Sequence, residues 1–179
     1  MKKLKLAELN RISIEEFKGK PKSNFAIVLD NVRSALNVGS AFRTADSFRA
    51  NSLHLTGITA QPPHKEIMKT AIGATASVNW KYHRTSKEAI LFLKEEGFWI
   101  VGIEQVDASV SLNDFTPTSD RPIAYVFGNE VEGISEDIIP LLDTAVEIPQ
   151  FGTKHSLNIS VCVGIIGWHH ILHAGQPDQ

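Results

Sequence analysis

Short apolar runs alternate along the chain with amphipathic or polar stretches. Runs at residues 25–29, 52–56, 78–82, 98–103, 123–127 and 145–148 have the length and continuous apolar character of strands buried on both faces. Between them, residues 39–47, 86–96 and 135–142 carry helical patterns, and a last helix begins near Ser156. Ser86 stands where an N-cap belongs in the second of these. Strands alternating with helices predict an α/β fold: a mostly parallel sheet with helices on both faces. Two stretches interrupt the rhythm. Residues 59–76 hold Pro62, Pro63, His64, Lys65, Lys69 and Gly73, and residues 107–122 are polar with Pro117 and Pro122, so both are expected as exposed loops with some helix. Residues 1–23 interleave Lys2, Lys3, Lys5, Arg11, Lys18, Lys20 and Lys22 with Leu4, Leu9, Ile12, Ile14 and Phe17. This predicts a basic helical arm ending at Gly19 and Pro21, followed by one domain over residues 24–179.

Composition narrows the function. At 179 residues the chain is long enough to bury a core without metal or disulfide support. Its formal net charge of -2 argues against a surface coated in cations for non-specific nucleic-acid binding, so any such affinity rests on local patches. Lys18, Lys20 and Lys22 either touch phosphates or form the solvated face of an amphipathic helix. The single cysteine, Cys162, lies in an apolar run and reads as a small buried hydrophobe; it fits a reducing, cytoplasmic setting. The N-terminal lysines precede no apolar h-region, and no run of ~18 apolar residues occurs, so neither a signal peptide nor a membrane span is expected.

The candidate chemistry lies in three segments at the ends of apolar runs: NVRSALNVGSAFR at 31–43, FGNEVEGI at 127–134 and IPQFGTKHSLNIS at 148–160. Ligands of open α/β sheets sit at the carboxyl ends of strands, where loop backbone and helix N-termini offer unpaired donors, so the three segments point to one composite site. Other chemistries lack their loops: there is no G-x-x-x-x-G-K-[ST], no G-x-G-x-x-G, and the His155–Ser156 pair has no G-x-S-x-G around it. His169, His170 and His173 have helical spacing without an evident further ligand, and read as helix-end residues that complement the dipole.

Asn37, Gly39 and Arg43, with Gly128, Asn129, Glu130 and Gly133, and with Ile148, Pro149, Gly152, Ser156, Leu157 and Asn158, resemble the motifs of the SpoU/TrmH family of RNA ribose 2′-O-methyltransferases, in the SPOUT class. The resemblance runs from about Phe25 to the final helix. The family often has Pro where Ala35 stands, Gly at Val131 and Met at Gln150, differences that touch loop shape more than chemistry.

The resemblance implies a deep C-terminal trefoil knot, a homodimer with Trp168, Ile171 and Leu172 of the last helix as apolar contacts, and tRNA or rRNA as partner. It implies S-adenosylmethionine bound among the three loops, with Gly128, Ile148 and Leu157 meeting the adenosine through backbone groups and Asn129 and Gly152 beside them. Arg43 is the residue the resemblance gives to hydroxyl activation. An arginine is always protonated, so its role reads as electrostatic stabilisation of the developing alkoxide. Asn37 serves either as a helix cap or as a ligand contact. Glu130 either orients Arg43 or a neighbouring loop or opens a helix; of Ser156 and Asn158, one caps the last helix while the other faces substrate. Two alternatives stay open: base methylation by a relative of the same class, and a non-catalytic RNA-binding or ribosome-assembly factor.

Overall fold

The apolar runs become strands of one seven-stranded sheet in which every neighbouring pair is parallel. The computed structural model describes residues 1–5, 8, 11–118, 120–154, 156–175 and 177. Leu9 of the expected arm and His155 of the third loop lie outside the described residues. The strands are β1 (Ser23–Asp30), β2 (Ala50–Thr56), β3 (Trp80–His83), β4 (Trp99–Ile103), β5 (Val110–Ser111), β6 (Ile123–Phe127) and β7 (Thr144–Glu147), in the order β3-β2-β1-β6-β4-β7-β5. β1 and β6 are central, which is why their sequences are apolar without alternation.

The helices are α1 (Ile14–Gly19), α2 (Ala35–Ser47), α3 (Lys65–Ala71), α4 (Ala74–Ser77), α5 (Ser86–Glu95) and α6 (Ile159–Ala174). One face of the sheet carries α2, α3, α4 and α6, whose Val38, Phe42, Ile67, Val163 and Ile166 pack on Phe25, Ile27, Leu29 and Tyr125. The other carries α5, whose Ile90 and Leu93 meet Ala26, Val28 and Val126. Gly39 lets α2 and α3 touch: a Cβ there would stand 2.5 Å from the Ile67 carbonyl oxygen.

Several boundaries differ from expectation. Residues 135–142 form no α-helix but turns and a 3-10 turn at Ile139–Leu141, because Pro140 lacks the N–H an α-helix needs there. The strand expected at 78–82 starts at Trp80, since Val78 closes α4. Thr85 caps α5, not Ser86. Ser86 is buried instead, with its hydroxyl against Asp30 and, at 2.6 Å, Thr56. Residues 107–122 include β5 and two buried apolar side chains, Leu112 and Phe115, the latter stacked on Trp99. The arm forms α1 with Phe17 buried, and Ser23 belongs to β1. Lys22 donates to the Phe17 carbonyl and lies over its ring at 3.8 Å, which holds that cation against the arm.

Buried histidines make the fold acid-sensitive. His54 Nδ1 lies 2.9 Å from His83 Nε2, and His54 Nε2 lies 2.9 Å from Ser52 Oγ. Burial, then the His83 charge, pushes the His54 pKa down to about 3. His170 does not serve as the charge that complements the helix dipole, as expected from its spacing; it is buried 3.0 Å from the Tyr125 hydroxyl, and burial pushes its pKa down to about 4. Both folded values lie below the unfolded value near 6.5, so the unfolded chain binds more protons and stability falls as pH drops from about 6.5. Denaturant titrations at pH 7 and pH 5 should differ by about 2 kcal/mol for each of these histidines. Equal stability at the two pH values would contradict this burial.

Candidate active site

At the carboxyl edge of the sheet, β1 ends in Asp30 and turns through Asn31 at φ 52. Buried Asp30 accepts from Asn31 Nδ2 at 2.8 Å and from the Ser135 backbone N–H at 2.7 Å, so the loops after β1 and β6 hang on one carboxylate. α2 then begins four residues earlier than expected, with Ser34 as its N-cap accepting from Asn37 N. Asn37 therefore lies inside the first turn and does not cap the helix. Its side chain is free to bridge.

That bridge joins the three segments. Asn37 Nδ2 donates to Glu130 Oε1 at 2.9 Å, and Asn37 Oδ1 accepts from Asn158 Nδ2 at 3.2 Å. Glu130 also accepts from the backbone N–H groups of Arg33 at 3.1 Å and Ser34 at 3.3 Å, a carboxylate placed at the positive end of α2. Burial pushes the Glu130 pKa up, but the Asn37, Arg33 and Ser34 hydrogen bonds outweigh it and hold the carboxyl below its ordinary range. Asn158 caps α6, its Oδ1 accepting from Ser160 N at 2.8 Å. Glu130 thus organises the first loop and not Arg43.

Beside this bridge opens a cleft of about 560 Å³ lined by Gly128, Asn129, Glu130, Ile148, Ser156, Leu157 and Asn158, together with Ile103, Glu104, Gln105, Phe127, Val131, Glu132, Gly133, Glu147, Gln150, Ile159 and Cys162. The Asn129 side chain shapes the loop: its Oδ1 accepts from the N–H groups of Val131 and Glu132, both at 2.9 Å, and its Nδ2 donates to the Gly133 carbonyl. Gly128 is packed by that loop, and a Cβ would fall 2.0 Å from the Gly133 carbonyl carbon. Cys162 is half-buried on the cleft wall, with burial raising its pKa.

The cleft's chemistry is one-sided. Glu104, Glu130, Glu132 and Glu147 face it, and no lysine or arginine stands among its described lining residues. Such a cleft favours a cationic ligand and repels polyanions. Apolar Ile148, Leu157, Ile103 and Phe127 offer a surface for a flat heterocycle. A cationic nucleoside such as S-adenosylmethionine fits both features.

Arg43, Asn37 and Gly152 do not line the cleft. Gly152 sits in an exposed stretch where a Cβ would meet nothing within 4 Å, so no ligand-facing backbone crowds it. Arg43 is exposed on α2 and lines a separate cavity of about 500 Å³ with Ser40, Thr44, Ser47, Phe48, Lys69, Thr70, Ile72 and Gly164.

The SpoU rRNA methylase family model matches residues 24–168, most of the chain and all three loops. The chain belongs to the SpoU family. A tRNA (guanosine(18)-2′-O)-methyltransferase of Thermus thermophilus is 30% identical over 159 residues, covering 89% of this chain and 80% of the relative. A 23S rRNA (guanosine-2′-O-)-methyltransferase RlmB of Nitrosomonas europaea is 34% identical over 139 residues, covering 78% of this chain and 52% of the relative. Among solved structures, the A. aeolicus TrmH/SpoU tRNA modifying enzyme superposes with a TM-score of 0.77 at 26% identity, covering 89% of this chain and 80% of that one. The AdoMet-bound rRNA methyltransferase of Sinorhizobium meliloti shares the fold, with a TM-score of 0.77 at 23% identity over 93% of this chain and 62% of that one.

Within this SpoU chain, sequence reasoning missed the residues that support the loops. Asp30, Asn31, Ser34 and Ser135 hold the first two segments together, and Glu104 accepts from the N–H groups of Gln105 and Ile134 at 2.9 and 3.0 Å. Glu104 and Glu147 were findable, since each is a lone carboxylate ending or following an apolar strand. The His169 and His173 rings lie 4.3 Å apart, tilted by 41°, yet no group of three or more metal-ligating residues occurs among the described residues. No described helix is long and apolar enough to cross a membrane.

Proposed function

We propose that this SpoU-family chain transfers the methyl group of S-adenosylmethionine to a ribose 2′-hydroxyl of tRNA or rRNA. The observation that carries this reading is the Asn158–Asn37–Glu130 bridge, which draws the three family segments to the edge of an acidic, partly apolar cleft. The similar Thermus and Nitrosomonas proteins carry 2′-O-methyltransferase names, one for tRNA and one for rRNA, which favours ribose over base as the target.

When bound, the cofactor supplies a methyl carbon activated by a positively charged sulfur. Gly128, Ile148 and Leu157 present backbone and apolar surface to hold it, and the four glutamates favour its charge. Ser156 and Asn158 line the cleft, and in this reading they meet the ribose. The hydroxyl oxygen takes the methyl group as its proton passes to solvent water, leaving the cofactor as the neutral thioether, with Arg43 supplying a fixed positive charge toward the developing alkoxide.

Arg43 and the cleft reach a common site through a second copy of the chain. α6 touches the cleft through Ile159 and Cys162, and it borders the Arg43 cavity through Gly164. Between and beyond these positions it exposes Val161, Trp168 and Leu172, 48%, 50% and 60% accessible, an apolar stripe suited to pairing with its twin. Ile171, expected in that contact, is buried in the core instead. A two-fold pairing along α6 would set the Arg43 cavity of one protomer against the cleft of the other. Sedimentation at micromolar concentration should give a dimer. Mixing an Arg43→Ala chain with an Asn158→Ala chain should restore part of the activity each lacks; a monomer, or no complementation, would refute the shared site.

The deep knot fits the path of the chain: β7 lies beyond β4 on one side of β1, while α6 returns to pack on α2 and β1. Mechanical stretching of the denatured chain from both termini should then stop short of the contour length of 179 residues at about 3.5 Å each. Full extension would exclude a knot.

Binding comes before chemistry, so cofactor titration by calorimetry tests the reading cheaply. One S-adenosylmethionine per chain, with no metal added, is the expected result. No heat of binding at millimolar cofactor would leave a non-catalytic RNA-binding factor as the better reading.

A further inference from the structure

Charge is segregated between the two cavities of this molecule. The cofactor cleft presents four glutamates and, among its described lining residues, no cation. The cavity between α2, α3 and α6 presents Arg43 and Lys69 and, among its described lining residues, no acid. Neither cation makes an ion pair with a described residue. Three of the hydroxyls around them are already engaged with carbonyls: Ser40 and Thr70 both donate to Leu36 O at 3.0 Å, and Ser47 donates to Arg43 O at 2.9 Å. That leaves the guanidinium and the ammonium as the charged donors of a concave, hydroxyl-lined hollow.

Gly39 brings the second cation into range. With no Cβ at that position, α3 lies directly on α2, and Thr70 and Lys69 come to the wall that holds Arg43. Two unpaired cations in one acid-free hollow attract a doubly coordinated oxyanion, and a phosphodiester is the anion RNA supplies. The acidic cleft excludes it.

Resting on the methyltransferase reading above, we infer that Arg43 and Lys69 form a phosphodiester subsite for the RNA backbone, in which Lys69 is a positioning residue that holds a phosphate beside the target ribose. The two cations have different tasks. Lys69 is a point charge that fixes the backbone, while the planar fork of Arg43 reaches both a phosphate oxygen and the reacting ribose oxygen.

The subsite is tested by titrating unfractionated tRNA and unfractionated rRNA, both free of 2′-O-methyl groups, against the wild type, Lys69→Ala and Lys69→Arg across salt concentrations. On the RNA that the wild type methylates, Lys69→Ala should weaken binding about five- to tenfold at low salt. It should reduce the slope of log K against log salt by about 0.7–0.9, the value of one phosphate contact. Lys69→Arg should keep the slope and most of the affinity, and S-adenosylmethionine affinity should be unchanged in both variants. A methylating wild type whose Lys69→Ala variant keeps affinity and salt slope overturns the subsite alone. A wild type that neither binds nor methylates either RNA overturns the subsite and the methyltransferase reading together.

Discussion

Arg43→Ala is expected to lower the single-turnover methylation rate by about 100-fold or more while leaving S-adenosylmethionine affinity unchanged. The size follows from losing one preorganised donor to a developing oxyanion, which costs roughly 10²–10³ in rate. The unchanged cofactor affinity follows from position, since Arg43 is exposed on α2 and lines a different cavity from the cleft. Arg43→Lys should recover little, because an ammonium cannot span a phosphate and a ribose oxygen with one planar group. Rapid-quench assays at saturating RNA separate this from anchoring alone. A normal rate with weakened RNA affinity would make Arg43 a second anchoring cation beside Lys69 and remove it from the chemistry.

Gly128→Ala is expected to abolish measurable cofactor binding. The added Cβ would fall 2.0 Å from Gly133 C, 2.1 Å from Ile134 N and 2.3 Å from Gly133 O. All three are backbone atoms, and they belong to the turn that Asn129 pins through its amide. The loop must therefore move bodily, which displaces Glu130 and strains its bonds to Arg33, Ser34 and Asn37. Overpacking of this kind costs about 1–3 kcal/mol, so the domain should remain folded near room temperature while its cleft is rebuilt. Calorimetry together with a thermal melt reads both effects. Cofactor binding within threefold of wild type would mean that the loop is not the cradle.

How much of this was legible in the sequence depends on what each signal reports. Continuous apolar character reports burial on both faces, so β1 and β6 were clear from residues 25–29 and 123–127. β5 was invisible, because two residues in a polar stretch carry no periodicity. The helical pattern at 135–142 misjudged the backbone, which Pro140 breaks. Family motifs located Gly128, Glu130, Leu157 and Asn158 at one cleft, since motif spacing follows the loops that build it. They did not reveal which cavity Arg43 faces. Four residues after Gly39 places it one turn along α2, but the angle between α2, α3 and α6 decides what lies opposite, and that angle comes from tertiary packing around Gly39 and Gly167.

Asn37 illustrates the same limit at closer range. Ser34 and Asn37 are both suitable caps, and the choice between them is made by Glu130, some ninety residues away, which claims the Asn37 amide and the N–H groups of Arg33 and Ser34. Lys69 carries no motif at all. Its meaning appears only when the acid-free cavity is set beside the acidic cleft.

The most direct test is to incubate the purified chain with isotopically methyl-labelled S-adenosylmethionine and unfractionated tRNA and rRNA, digest the products to nucleosides and weigh them. Label confined to 2′-O-methylnucleosides, with none when the target nucleotide is replaced by its 2′-deoxy form, is the expected result. Label on a base, or no label in either RNA by a chain that binds the cofactor, would contradict ribose methylation.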